Sequence, residues 1–136
     1  MTDELDIQGL IASAIAASKN AYVPYSEYHV GAALLAPDGT VFTGCNVENA
    51  SYPATICGER TALVKAVSEG QRAFAAIAVA TKNGGSPCGV CRQMLFEFAP
   101  DLRVICCDFE GNITIDESLR NMLLYGFGPS DLPKPE

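Results

Sequence analysis

Two short apolar runs, FAAIAVAT (74–81) and the VICC of RVICCDF (103–109), constrain the fold of this chain more than any other feature. Strands that are apolar at successive positions have both faces buried, so the sheet that contains them needs a covering layer on each side. Part of one layer comes from the segment between them. There Pro87 suits the first turn of a helix from about Cys88 to Phe98, and Pro100 ends it.

The rest of the chain fills in this outline. From Leu5 to about Lys19, residues Ile7, Leu10, Ile11, Ala14 and Ile15 follow the three-and-four spacing of an amphipathic helix, which Asn20 helps to end. Pro24 and Ser26 mark a turn, and Tyr28 to Leu35 reads as a strand. Asp38-Gly39 between that run and VFTGCNV predicts a hairpin. Asn46 to Thr55 has no period and reads as a loop. A second helix begins at Cys57, carries Ala62, Leu63, Ala66 and Val67, and stops at Gly70. Glu110-Gly111 reads as a turn, Glu117 to about Leu124 as a last helix, and the tail from about 128 to 136 as irregular. Helix, hairpin, then alternating strand and helix predict an α/β sandwich with helices on both faces of a mixed sheet. All of it fits one domain over 1–136.

Charge narrows the partners. Nine Lys and Arg against sixteen Asp and Glu give a net charge of −7, and the cations do not cluster. That balance argues against nucleic acid or an anionic membrane, and less strongly against a substrate with several phosphates. No apolar run approaches the roughly 20 residues of a membrane span, and the acidic start MTDELDIQ lacks the basic region of a signal peptide, so a cytoplasmic protein is expected.

Six cysteines, at 45, 57, 88, 91, 106 and 107, could form three disulfides. In a cytoplasmic chain they more often mean metal or plain core. Cys57, Cys88 and Cys91 fall at predicted helix starts, where unpaired N–H groups and the helix dipole favour a thiolate. Cys88 and Cys91, three apart, share a helix face and can hold one ion, with Cys57 as third ligand. Three ligands without a fourth describe a catalytic zinc site that keeps a place for water. Cys45, Cys106 and Cys107 read as small hydrophobes of the sheet, the last two facing opposite ways. His29, the only histidine, stands alone and reads as a non-ligand. A thioredoxin-like redox pair at CGVC leaves Cys57 and Glu59 without a role. Glu59, two residues past Cys57, can reach the open position of the metal and accept a proton from water there. In isolation it would be an ordinary first-turn glutamate.

The pairing of CGER with PCGVC resembles the zinc-dependent cytidine deaminase superfamily. The resemblance extends through YVPYSEYHVGAALL, GCNVENASYP, ERTALVKAVSEG and CRQMLFEF. It is closest to the short, homotetrameric cytidine deaminases, which implies a three-layer α/β/α sandwich around a mixed five-stranded sheet and one zinc per chain. It also implies a role for particular residues: Cys57, Cys88 and Cys91 as zinc ligands, Glu59 as catalytic acid and base, and Asn46 and Glu48 of NVEN as the pair that hydrogen-bonds the ribose. Tyr28 lies near the base, Phe127 reaches a neighbouring subunit's pocket, and Arg60 hydrogen-bonds the zinc thiolates and offsets their charge. The implied reaction is deamination of cytidine and deoxycytidine. Blasticidin-type deaminases share the metal motif but not the ribose-reading NVEN. A zinc-stabilised binding module would have no use for Glu59. The sequence departs from the family's usual pattern at Gly58, where Ala is common, at Tyr28, where Phe is common, and at Leu124, where Pro is frequent.

Overall fold

A computed structural model describes residues 5–133. Its five strands form a single sheet in the order β2-β1-β3-β4-β5. They are β1 (Gly31–Leu35), β2 (Val41–Cys45), β3 (Ala76–Ala80), β4 (Arg103–Cys107) and β5 (Ile113–Ser118). Only β3 and β4 run parallel, joined by a helical crossover, while the other neighbours are antiparallel. The helices are α1 (Ile7–Ser18), α2 (Gly58–Ser68), α3 (Gly89–Phe98) and the single turn α4 (Leu119–Met122).

Strand alternation divides the core into two layers. Ala32, Leu34, Ile77, Val79, Val104 and Cys106 meet α2 and α3 on one face. Ala33, Ala76, Ala78, Ala80, Ile105 and Cys107 meet α1 on the other. Cys106 and Cys107 therefore face opposite sides, as adjacent strand residues must. Four of these six residues on the α1 face are alanines, and this lets the helix lie close to the sheet. At Gly31 even a methyl group is excluded, since a Cβ there would stand 1.9 Å from Ala14 O. α1 itself opens on Asp6, whose carboxylate accepts from Gly9 N at 2.9 Å.

The predicted hairpin is present, with Gly39 at φ +93° and Asp38 Oδ1 accepting from Thr40 N. Three boundaries differ from expectation. β1 begins at Gly31 rather than Tyr28, because Val30 N donates to the side chain of Asn46 instead of to a neighbouring strand. The expected loop over Asn46–Thr55 holds a short 3₁₀ turn at Tyr52–Ala54. The expected helix from Glu117 to Leu124 shrinks to Leu119–Met122, since residues 113–118 pair with β4 as an edge strand. The tail contains a second 3₁₀ turn at Pro129–Asp131, and its last three residues lie outside the described residues, as do the first four of the acidic start. No described helix is long and apolar enough to cross a membrane.

Register locates the working end of the sheet. Gly31 pairs with Cys45 and with Ala80, and Ala80 pairs with Cys107. Val30, Asn46 and Thr81 are the next residues beyond this edge, and all three line one cavity.

Candidate active site

Cys57 is the N-cap of α2 and Cys88 the N-cap of α3, so both thiols sit at helix starts and Cys91 follows one turn into α3. The chain thereby delivers three sulfurs to one point, all within 4.8 Å of one another. Cys57 Sγ lies 3.8 Å from Cys88 Sγ, and Cys88 Sγ lies 3.4 Å from Cys91 Sγ. Tetrahedral zinc with Zn–S bonds of about 2.3 Å holds its sulfurs about 3.8 Å apart, so the donor set fits that ion in chemistry and in spacing.

The electrostatics follow from this crowding. Cys57 is drawn down to about 5, first by its hydrogen bond with Cys91 and then by Arg60. Cys91 moves the opposite way because it keeps the proton it shares with Cys57. Arg60 Nη2 reaches Cys57 Sγ at 3.6 Å and Thr55 O at 3.0 Å, which puts a guanidinium against the sulfurs. Its Nε is buried without a hydrogen-bond partner. Glu59 is 4% exposed, and burial pushes its carboxyl up to about 7.

Glu59, Cys57 and Cys88 line a cavity of about 440 Å³ together with Tyr28, Asn46, Glu48, Thr81, Gly85 and Ser86. Asn46 is buried and spans two backbone groups, accepting from Val30 N at 2.9 Å and donating to Tyr28 O at 2.8 Å. Glu48 Oε1 accepts from Tyr25 N at 2.9 Å and Ser26 N at 3.1 Å, and its Oε2 accepts from Ser26 Oγ. A carboxylate offers about four acceptor sites. Three are used here, so one remains for a ligand.

Of the residues picked out in the sequence, Tyr28, Asn46, Glu48, Cys57, Glu59 and Cys88 come together in this cavity. Cys91, the third sulfur, and Arg60, which contacts Cys57, do not line the cavity itself. Phe127 does not line the cavity of its own chain. It is 55% exposed on the C-terminal segment, with its carbonyl accepting from Gln93 Nε2 at 2.7 Å. His29 bonds Ser18 O at 3.1 Å, away from the sulfurs.

Sequence reasoning passed over Ser26, Thr81 and Arg92. Arg92 donates to Pro87 O at 2.9 Å, Ser86 Oγ at 2.9 Å and Met122 O at 2.8 Å, and so ties the loop before Cys88 to the C-terminal segment. Its place beside Cys91 was the only available signal, because its farthest partner lies thirty residues away.

Residues 5–107 match the cytidine and deoxycytidylate deaminase zinc-binding region. The chain is 46% identical over 131 residues to a cytidine deaminase of Sporosarcina psychrophila, covering 94% of this chain and 96% of that one. It is 52% identical over 121 residues to a cytidine deaminase of Halalkalibacterium halodurans, covering 85% and 92%. Its fold superposes on the crystal structure of a cytidine deaminase from Burkholderia pseudomallei with a TM-score of 0.84 at 45% identity, covering 93% of this chain and all of the other.

Proposed function

The chain belongs to the cytidine and deoxycytidylate deaminases, and we propose that it hydrolyses cytidine and deoxycytidine to uridine or deoxyuridine and ammonia. One observation carries this reading. A buried carboxylate and two thiols of a three-thiol cluster line one cavity, which also holds a free acceptor site on Glu48.

Cys57, Cys88 and Cys91 hold zinc in this reading, with Arg60 offsetting their charge. The chemistry zinc supplies when bound is the acidification of water, from a pKa of 15.7 to about 7. Glu59 moves the protons. It takes one from the attacking water and gives it to N3 of the pyrimidine, which makes C4 electrophilic. After the hydroxyl has added to C4, Glu59 carries the hydroxyl proton to the amino nitrogen, which leaves as ammonia while C4 becomes a carbonyl. A carboxyl near 7 is suited to both directions of transfer at neutral pH. Glu48 and Asn46 read the ribose, Glu48 through its spare acceptor site and Asn46 by fixing the backbone of residues 28–30. Tyr28 closes the cavity beside the base.

A nucleoside suits this cavity better than a nucleotide. Among the described residues no lysine or arginine lines it to meet a phosphate. We further assign a homotetramer with Phe127 closing a neighbour's pocket, supported by the family resemblance and by the exposure of Phe127, Leu124 and Val64. The six free cysteines suit a reducing, cytoplasmic setting.

The test is to incubate zinc-loaded protein with cytidine, deoxycytidine, cytidine monophosphate and blasticidin while following ammonia release. The two nucleosides are expected to react fastest. Release from blasticidin or the monophosphate alone overturns the assignment. Sedimentation of an active monomer at micromolar concentration overturns the tetramer.

A further inference from the structure

A continuous hydrogen-bond path runs around the cavity and passes through one residue that does not line it. Glu48 Oε2 accepts from Ser26 Oγ, and that hydroxyl oxygen accepts from Tyr28 N at 3.0 Å. At the other end of the same residue, Tyr28 Oη donates to Asn83 Oδ1 at 2.6 Å. Thr81 Oγ1 donates to the same Asn83 oxygen at 3.4 Å and accepts from Gly85 N at 2.9 Å. Each hydroxyl along the path donates once, so the directions are mutually consistent. Glu48, Ser26, Tyr28, Thr81 and Gly85 all face the cavity, and Asn83 is the junction behind them.

The path joins two segments that each contain a left-handed residue. Glu27, at φ +59°, lies in the turn that Glu48 holds by three hydrogen bonds. Gly84, at φ +70°, lies in the loop leading to Cys88, where Thr114 Oγ1 donates to its carbonyl at 2.6 Å. A non-glycine residue keeps such a conformation only where its surroundings over-determine it. The two segments also touch: a Cβ placed on Gly85 would stand 3.2 Å from Tyr28 Oη. Without the hydroxyl of Tyr28, the group that phenylalanine lacks, only van der Waals contact would join them here.

We propose that Asn83 is a positioning residue that, through Tyr28, straps the sugar-reading turn to the loop carrying Cys88 and so fixes the width of the substrate cavity. This rests on the deaminase reading above. A cavity already set to width leaves less ordering to be done when substrate enters. Asn83 touches neither the sulfurs nor Glu59, so loosening the strap weakens binding and spares the chemical step. An exposed hydrogen bond of this kind corresponds to roughly three- to tenfold in affinity.

The experiment uses zinc-loaded wild type, Tyr28→Phe, Asn83→Ala, Asn83→Asp and the Tyr28→Phe/Asn83→Ala double variant. KM for cytidine and kcat are read alongside the dissociation constant of uridine, the thermal midpoint and the zinc content. Tyr28→Phe and Asn83→Ala are each expected to raise KM and the uridine constant three- to tenfold while kcat stays within twofold. The double variant should be no worse than Asn83→Ala alone, because Tyr28→Phe removes a bond that Asn83→Ala has already broken. Asn83→Asp keeps the acceptor oxygen and should stay within twofold of wild type. An unchanged KM with a lowered thermal midpoint, multiplying effects in the double variant, or a fall in kcat at constant KM each overturns the strap. A zinc-loaded wild type that does not deaminate cytidine overturns the deaminase reading instead.

Discussion

Arg60 Nη2 lies 3.6 Å from Cys57 Sγ, at the start of the helix that also carries Glu59. Three thiolates around a divalent cation leave a net negative centre, and a guanidinium in contact with one sulfur reduces that charge. Arg60→Gln should keep the fold, lower kcat roughly tenfold at neutral pH, and move the acid limb of the pH–rate profile upward, since a more negative centre acidifies water less. A profile measured with zinc-replete protein that does not move contradicts this role for Arg60.

Glu59→Gln should separate chemistry from metal binding. Glutamine keeps the size and still hydrogen-bonds water, but it cannot carry a proton. Zinc content and uridine affinity should hold, and kcat should fall by about two to four orders of magnitude. Activity within tenfold of wild type is inconsistent with the proton transfers assigned to Glu59.

The cysteines should divide sharply by position. Cys88→Ala removes a member of the sulfur cluster and should abolish both zinc retention and turnover. Cys106 is fully buried in the core layer under α2 and α3, paired with Val79 and outside the three-sulfur group, and Cys106→Ala should retain both at a stability cost of about 1 kcal/mol. Elemental analysis and a denaturant titration distinguish the two outcomes.

Acid stability has one identifiable contributor at the sheet edge. Arg103 on β4 holds Asp116 on β5 by a bond of 2.7 Å, and this hydrogen bond keeps the Asp116 carboxyl below its ordinary value of 3.8. A carboxyl lowered on folding stabilises the native state above the unfolded pKa and loses that contribution as pH falls through the folded one. With side chains 45% and 39% exposed the pair is well screened, so Asp116→Asn should cost less than about 1 kcal/mol at pH 7. The difference from wild type should shrink as pH falls below 3.8 and through the lowered native-state value, which urea titrations at pH 7 and at a series of acid pH values can measure.

The sheet was legible wherever strands are buried or turns are chemically explicit. β3 and β4 stood out as apolar runs, and Asp38-Gly39 marked the hairpin. β5 was not, because ITIDES is an edge strand exposed on most of its length and its alternation lasts only over ITID before two polar residues lead into a helix. Tyr28–Val30 read as strand from side-chain type, whereas the structure satisfies that backbone through the Asn46 side chain, a non-local bond that no local pattern encodes. Within the site, the cysteines and Glu59 were visible because helix starts fix short spacings. Asn83 was silent: its partner Tyr28 is fifty-five residues away, and an asparagine in NGG reads simply as a loop residue.

The three sulfurs are unequal in the unfolded chain. Cys88 and Cys91 remain three residues apart whatever the fold, while Cys57 lies thirty-one residues before Cys88, with β3 between them. A two-thiol clamp therefore survives denaturation, and a newly made chain can pick up its ion before the sheet has closed. Only the share of affinity gained when Cys57 arrives works in favour of folding. Added zinc will raise the melting temperature by less than its affinity for the native site alone implies.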